Sequence, residues 1–171
     1  MAISRKIVKM TEIELKNIIE NNELNEDELD NFWDNFFGFL PLFIFLIVSI
    51  NNITFLLIVV FLIVYTFYCK LNERKLKSVK MSINQSENIE LIKNIAEKQN
   101  WKIKTESFGF YEFYIPFIFG QPAHKLTLIL KNNEILLNLR NLGSSKGRMP
   151  YLFGIDTFKE KKIIDLLNLV E

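Results

Sequence analysis

The chain has 171 residues, of which 49% are hydrophobic, and its formal net charge at pH 7 is +1. Because this charge is close to zero and Lys and Arg are spread along the sequence, the composition argues against nucleic acid as the main ligand. The one cysteine, Cys69, rules out an internal disulfide and fits a reducing compartment. The abundance of Lys, Asn, Ile and Phe is associated with AT-rich bacterial genomes.

Residues 1–30 are predicted to form an amphipathic helix followed by an acidic linker. Thr11 and Glu14 have the spacing of a capping box. The apolar stripe that follows at helical spacing consists of Ile13, Leu15, Ile18 and Ile19. Because the segment is acidic, we expect it to pack on the folded domain or on a protein partner rather than on an anionic membrane. The linker up to Asp30 is expected to be a solvated spacer.

Residues 31–69 are predicted to form a helical hairpin. No charged side chain occurs from Phe36 to Cys69, and the apolar run is interrupted only near its middle. One helix through this run would be about 50 Å long, against a hydrocarbon core of roughly 30 Å. The chain should therefore turn back at Asn51 and Asn52.

The first helix of the hairpin is predicted to start at a cap formed by Asn25 and Glu28 and to run continuously through Trp33. Three interpretations of the hairpin compete. Its length favours two transmembrane helices, whereas the shortness of each segment favours a re-entrant or monotopic hairpin. A buried helix pair of a soluble protein would need polar faces, which neither helix has. Trp33, Tyr65 and Tyr68 suit the membrane interface.

Residues 70–81 are interpreted as a basic juxtamembrane segment. Its cations are Lys70, Arg74, Lys75, Lys77 and Lys80. The turn between the two helices has no Lys or Arg, so the positive-inside rule predicts an inner-membrane protein with both termini in the cytoplasm. The same cations are candidate contacts for anionic lipid.

Residues 82–171 are predicted to fold as a cytosolic α+β domain with one core. Asn84 and Glu87 should cap its first helix, and Thr157 and Glu160 its last. Between these helices lie four predicted antiparallel strands, around residues 101–105, 108–115, 126–130 and 135–139. Both helices are expected on one face of the sheet. The other face is then a mixed surface, solvated or able to dock a partner, that consists of Thr127, Ile129, Leu136 and Asn138.

The predicted fold class is a membrane-anchored α+β protein. A two-helix transmembrane hairpin precedes a cytosolic helix, a four-stranded antiparallel sheet and a C-terminal helix. This layout is loosely similar to that of bacterial membrane-tethered pleckstrin-homology-like proteins. The helix before the strands departs from their pattern and no motif matches residue by residue, so the resemblance implies no site.

Two features of the domain are candidate binding surfaces. The region of the second strand has more aromatic side chains than a small core needs, and it can face a partner or the membrane interface. Those aromatic candidates are Phe110, Tyr111, Tyr114, Phe117 and Phe119. The loop from Asn141 to Pro150 combines glycines with Lys146 and Arg148, which together with Arg140 are candidates for contact with an anion or a lipid headgroup.

No catalytic, cofactor-binding or metal-ligating set stands out in the sequence. His124, the only histidine, has no neighbouring Asp or Cys and is expected to be a surface or loop-packing residue. The absence of ionisable side chains between Phe36 and Cys69, other than tyrosines, disfavours ion or proton transport by one copy.

The sequence therefore favours a non-catalytic membrane protein, acting as a scaffold, a regulator or an accessory subunit. Its partners would be the lipid bilayer and either another protein or a second copy of the chain. The alternative is a sensor of the anionic membrane surface. The third interpretation of the function is a membrane immunity-type protein or an unrecognised enzyme.

Overall fold

The computed structural model describes residues 10–81, 84–116, 122–143, 147–149 and 155–168. Its helices are α1 (Glu12–Asn21), α2 (Phe32–Ser49), α3 (Ile53–Asn72), α4 (Gln85–Lys98) and α5 (Ile155–Asn168). Its strands are β1 (Lys77–Lys80), β2 (Lys102–Ser107), β3 (Phe110–Ile115), β4 (His124–Lys131) and β5 (Glu134–Asn141). The fold is α+β, as predicted.

The strands form one antiparallel sheet in the order β1-β5-β4-β3-β2. The hairpin of β4 and β5 was predicted and is present, with Leu128 opposite Leu137. The prediction of four strands was wrong because it missed β1, which pairs with β5. In β1 only Val79 is buried, and its three other residues are polar and exposed. So short a polar segment lacks the alternating pattern of a strand, and its pairing with β5 stabilises it instead.

The main core lies on one face of the sheet, under α4 and α5. Phe113, Leu126 and Leu128 from the sheet are fully buried there, against Ile92 of α4 and Ile163 of α5. Alternation along each strand directs every second side chain to this face. The residues between them therefore point to the opposite face, which we call the second face.

The second face is covered by the N-terminal strap, which we define as residues 10–31. Ile18 of α1 and Leu24 pack there on Phe110, Ile129 and Leu136. The predicted packing of the amphipathic helix on the domain is therefore confirmed. The mixed surface predicted for this face is not open, because the chain's own N-terminal region covers it.

Two of the predicted helix caps are confirmed. The side chain of Thr11 accepts a hydrogen bond from the backbone N–H of Glu14, and that of Asn84 accepts one from Glu87. The cap predicted at Thr157 is wrong, because α5 begins at Ile155 and Thr157 lies inside it.

The start predicted for the first hairpin helix is also wrong. Residues Glu28–Asp30 form a separate 3-10 turn, and α2 begins only at Phe32. The side chain of Asn31 caps α2 by accepting a hydrogen bond from the N–H of Trp33, at 2.9 Å. An N-cap residue has a non-helical backbone, and Asn31, with a ψ of 126°, interrupts the continuous helix that the sequence suggested.

The helices α2 and α3 form an apolar hairpin whose turn lies at residues 50–52, as predicted. The rings of Phe39 and Phe67 stack between them, with centroids 4.9 Å apart. Both helices are long and apolar enough to cross a membrane, and only 22% and 17% of their apolar windows are buried. Ile47, Ile53 and Phe61 are among the large apolar side chains left exposed. A core helix of a soluble protein would bury most of such a surface.

The strap contributes to stability mainly through the apolar side of α1. We predict that Ile18→Ala lowers the free energy of unfolding by about 2–4 kcal/mol, because it removes a side chain that is 1% exposed and leaves a cavity. The matched control is Ile13→Ala in the same helix, where the side chain is 75% exposed and the effect should stay below about 0.5 kcal/mol. Chemical denaturation of the full chain in mild detergent measures both, and equal effects would contradict this packing.

Candidate functional site

Charged and polar side chains of the second face gather at the end of the sheet that adjoins the apolar hairpin. Lys125 of β4 lies opposite Arg140 of β5, and Thr127 lies opposite Asn138. Farther along the same two strands, the second face becomes apolar at Ile129 and its neighbours. Within the strap, α1 therefore covers the apolar half of the second face, and the acidic residues after α1 cover its charged half.

Eight charged side chains form one continuous series of ion pairs at this end, which we call the ion-pair chain. Anion and cation alternate along it without interruption. In spatial order its members are Glu112, Lys125, Asp27, Arg140, Asp30, Lys70, Glu73 and Arg148.

The distances along the ion-pair chain are those of direct hydrogen-bonded pairs. Lys125 Nζ lies 2.5 Å from Glu112 Oε1 and 2.6 Å from Asp27 Oδ2. Arg140 bridges the two aspartates of the strap, at 2.7 Å from Asp27 and 3.3 Å from Asp30. Lys70 then links Asp30 at 2.9 Å to Glu73 at 3.1 Å, and Glu73 pairs with Arg148.

The 3-10 turn of the strap orients both aspartates. Asp27 Oδ1 accepts a hydrogen bond from the N–H of Leu29 at 2.9 Å, and Asp30 Oδ2 accepts one from the N–H of Asp27 at 3.1 Å. Each carboxylate thus uses one oxygen to cap the turn. The prediction of a solvated acidic spacer is therefore wrong, because these residues fold into a turn that faces Arg140 and Lys125.

Arg148 connects the ion-pair chain to the base of α2. Its Nη2 and Nε donate to the carbonyl of Leu29 at 2.9 and 3.2 Å, and its backbone N–H donates to the carbonyl of Asp34 at 2.9 Å. A Cβ on Gly38 would overlap the backbone carbonyl of Arg148, and one on Gly147 would lie 2.7 Å from the N of Gly38. Glycine is required at both places for the loop to lie directly against the helix.

The ion-pair chain is electrically neutral, with four anions and four cations. Burial acts to raise the pKa of Asp27, but Arg140 and Lys125 outweigh it and hold that pKa below its ordinary value. Burial also opposes ionisation of Asp30, yet Lys70 keeps its pKa lowered. Both carboxylates are therefore ionised at neutral pH. With no surplus charge, the arrangement is suited to join the strap, the hairpin and the sheet rather than to attract an external ion.

The cations that were predicted from the sequence to contact lipid or an anion lie in different environments in the structure. Arg140 and Arg148 are 1% and 2% exposed and their guanidinium groups face carboxylates, so neither is presented to a headgroup. Lys70 belongs to the ion-pair chain, Arg74 pairs with Glu23 and Glu26, and Lys77 pairs with Glu160. Lys75 and Lys80 are exposed, and a lipid contact there stays a prediction. Lys146 lies outside the described residues.

The aromatic residues that were predicted to face a partner or the membrane also lie in different environments. Phe110 is buried under α1, and Tyr111 is buried in the main core. Tyr114 is half-buried, while Phe117 and Phe119 lie outside the described residues. The two buried rings are therefore core residues and not part of a free binding surface.

Sequence reasoning missed Asp27, Asp30, Glu73, Glu112 and Lys125. One signal was available, because Lys125 and Arg140 lie next to the alternating leucines of two strands that are predicted to be buried. Cations at such positions need carboxylates from another segment. The acidic linker carries the matching negative charge. It pairs, however, with a strand more than ninety residues away, and no local sequence pattern indicates so distant a pairing.

His124 belongs to a second polar cluster, on the α5 side of the sheet. It is fully buried, so the prediction of a surface or loop position is wrong. Its Nε2 lies 2.7 Å from Asp156 Oδ1, and Lys159 Nζ donates to its Nδ1 at 3.2 Å. Asn141 Nδ2 donates to the other oxygen of Asp156 at 2.9 Å. Both ring nitrogens are therefore used within the domain, and neither is free to act as a general base on a substrate.

Burial around this cluster lowers the pKa of Lys159, although Asp156 opposes that shift. Within the ranges that the structure describes, no group of three His, Cys, Asp or Glu side chains is arranged to hold a metal ion.

Comparison of the chain with protein-family models, with curated proteins and with solved structures gave no match.

The ion-pair chain should tolerate paired replacement better than the loss of one partner. We predict that Arg148→Met lowers the free energy of unfolding by about 3–5 kcal/mol, because it leaves Glu73 buried with only Lys70 beside it. The double variant Arg148→Met, Glu73→Met should recover at least about 1 kcal/mol of this loss. The control Arg74→Met breaks only half-exposed pairs and should cost less than about 1 kcal/mol. Additive effects of the two single variants in denaturation would contradict a direct coupling.

Proposed function

We propose that α2 and α3 anchor this protein in a lipid bilayer and that its α+β domain is a non-catalytic platform for a protein partner. The observation that carries the proposal is the contrast between the two ends of the hairpin. One side of its base is engaged with the domain through the ion-pair chain and Arg148, whereas most of its remaining apolar surface is exposed. Apolar surface of this extent is stable in hydrocarbon and not in water.

The proposed orientation places the domain at the cytoplasmic surface of a bacterial inner membrane. Basic residues concentrate at the base of the hairpin, and the turn at residues 50–52 carries none. This asymmetry is what the positive-inside rule associates with a cytoplasmic base. Trp33 and Tyr68, exposed near that base, fit the depth of the headgroups.

The proposed platform is held in a fixed orientation relative to its anchor. A flexible linker would let a tethered domain sample many orientations. Here Arg148 binds the strap, α3 and the start of α2 together, and the carbonyls of Glu73 and Lys75 accept hydrogen bonds from Asn138 of the sheet, both at 2.8 Å. A partner bound to the domain would therefore be held at a defined angle to the membrane.

The partner surface that we propose is the edge of the sheet at β2, a strand that pairs only with β3 among the described strands. Ile103 is half-exposed on this strand, and Phe108 in the following turn is 64% exposed. Phe108 also has a φ of 48°, a conformation that bulky residues rarely adopt and that costs about 1–2 kcal/mol. An exposed ring held in a strained turn is better explained by binding than by packing. The sheet register places this turn at the end away from the hairpin, facing the cytoplasm in the proposed orientation.

Charges introduced on the exposed surface of the hairpin test the anchor. We predict that Ile44→Lys with Phe61→Lys removes the protein from the membrane fraction that survives an alkaline carbonate wash, since each lysine costs about 3 kcal/mol near the bilayer centre. The control Ile13→Lys, on the exposed side of α1, should remain in that fraction together with the wild type. Release of the wild-type protein by carbonate would contradict the proposed anchoring.

Substitutions at the β2 edge test the platform. In a mild-detergent pull-down of full-length protein from its native membrane, Ile103→Ala with Phe108→Ala should reduce the recovered partner more than about ten-fold, as expected for loss of a hot spot. The control is Phe158→Ala, because Phe158 is also largely exposed, at 76%, but lies on α5. Mass spectrometry quantifies the partner. Equal recovery with all three proteins would exclude the β2 edge as the partner surface.

A further inference from the structure

The hairpin has an apolar surface that is shorter than a typical hydrocarbon core. Resting on the anchoring proposed above, we propose that the bilayer it fits is a thin one, with a hydrocarbon core of about 24 Å instead of roughly 30 Å. The partner of the hairpin surface is thus a bilayer whose hydrocarbon core around the protein is thinner than average.

The length of α3 gives the first measure. Its apolar surface runs from the exposed Ile53 to Cys69, and Lys70 follows at once. These sixteen steps correspond to about 24 Å of helix. Lys70 cannot extend this length, because its ammonium group is already paired with Asp30 and Glu73.

The length of α2 agrees with that of α3. On the side of the helix that faces the domain, the backbone of Arg148 lies against Gly38, and only about 18 Å of helix remains from there to Ile50. On its other side an exposed aromatic cluster marks the base. Its rings are Phe32, Trp33, Phe36 and Phe37. From Trp33, the ring best suited to the interface, to Ile50 is about 26 Å.

The tip of the hairpin is polar. Asn51 and Asn52 are exposed, and the side chain of Asn52 caps α3 by accepting a hydrogen bond from the N–H of Phe55 at 3.1 Å. Amide groups and open turns are unfavourable in hydrocarbon. The tip therefore belongs at the far interface, and the distance from tip to base defines the thickness that the hairpin accepts.

Contacts at the base of the hairpin block two usual ways of relieving such a mismatch. A short span can let flanking cations reach outward to the headgroups, but Lys70 and Arg148 are committed to carboxylates. The base cannot sink, because the domain lies directly against Gly38. Tilting shortens the span further. For a single copy of the protein, the remaining way to relieve the mismatch is thinning of the bilayer.

Reconstitution into vesicles of different thickness tests this proposal with the full chain. The vesicles are made of phosphatidylcholines with monounsaturated chains of fourteen, eighteen or twenty-two carbons. Trp101→Phe leaves Trp33 as the only tryptophan, so its emission reports insertion at the base. We expect flotation with the fourteen-carbon vesicles to exceed that with the twenty-two-carbon vesicles on the order of five-fold, with Trp33 emission most blue-shifted in the former.

A lengthened hairpin is the matched control. Four apolar residues inserted after Ile47 and four after Leu57 add about 6 Å to each helix and should move the optimum to the eighteen-carbon vesicles. Equal flotation of the original protein with all vesicles, or an optimum at the longer chains, would overturn the thin-bilayer fit while leaving the anchor in place. Failure to float with any vesicle would overturn the anchor itself, and the fit with it.

Discussion

Two arginine side chains, Arg140 on the second face of the sheet and Arg148 beside α2, cannot be buried unless carboxylates are brought to them, and this requirement organises the molecule. Arg140 and Arg148 are almost inaccessible to water, and an unpaired cation in such a place costs several kcal/mol. The carboxylates come from outside the domain, from Asp27 and Asp30 in the strap and from Glu73 at the end of α3. The domain can therefore neutralise its own interior only by holding the strap and the hairpin base against itself.

The parts of this fold that the sequence predicts are those with local signals. Leu126, Leu128 and Leu130 alternate along β4, and Asn133 adopts the positive φ of 59° that the following turn requires, so this hairpin was predictable. The capping boxes of α1 and α4 are equally local. The strand β1 and the ion-pair chain are not, because they depend on partners that only the folded chain supplies. The nitrogen of Arg140 and the oxygen of Asp27 that meet at 2.7 Å lie 113 residues apart in sequence.

The neutrality of the ion-pair chain also bears on the function proposed above. A binding site for an anion would leave cationic groups without partners, and a catalytic base would leave a ring nitrogen or a carboxylate facing a cleft. Here the charges of the second face and both nitrogens of His124 are used internally. Most of the exposed large apolar side chains lie instead on the hairpin, and others, such as Phe108, lie on the domain. These internal contacts hold the domain in one position relative to the hairpin, which is the property that the platform proposed above requires.

The two segments that meet in the ion-pair chain carry opposite charge. Residues up to Glu73 contribute three carboxylates and one ammonium, a net charge of −2, whereas those from Glu112 onward contribute one carboxylate and three cations, a net charge of +2. Synthesis delivers the strap and the hairpin first. The domain, completed later, is then drawn by long-range attraction onto an acidic base that already exists, at a rate that added salt would slow. The distribution of charge along the chain thus favours assembly in the order of synthesis, with the hairpin before the domain.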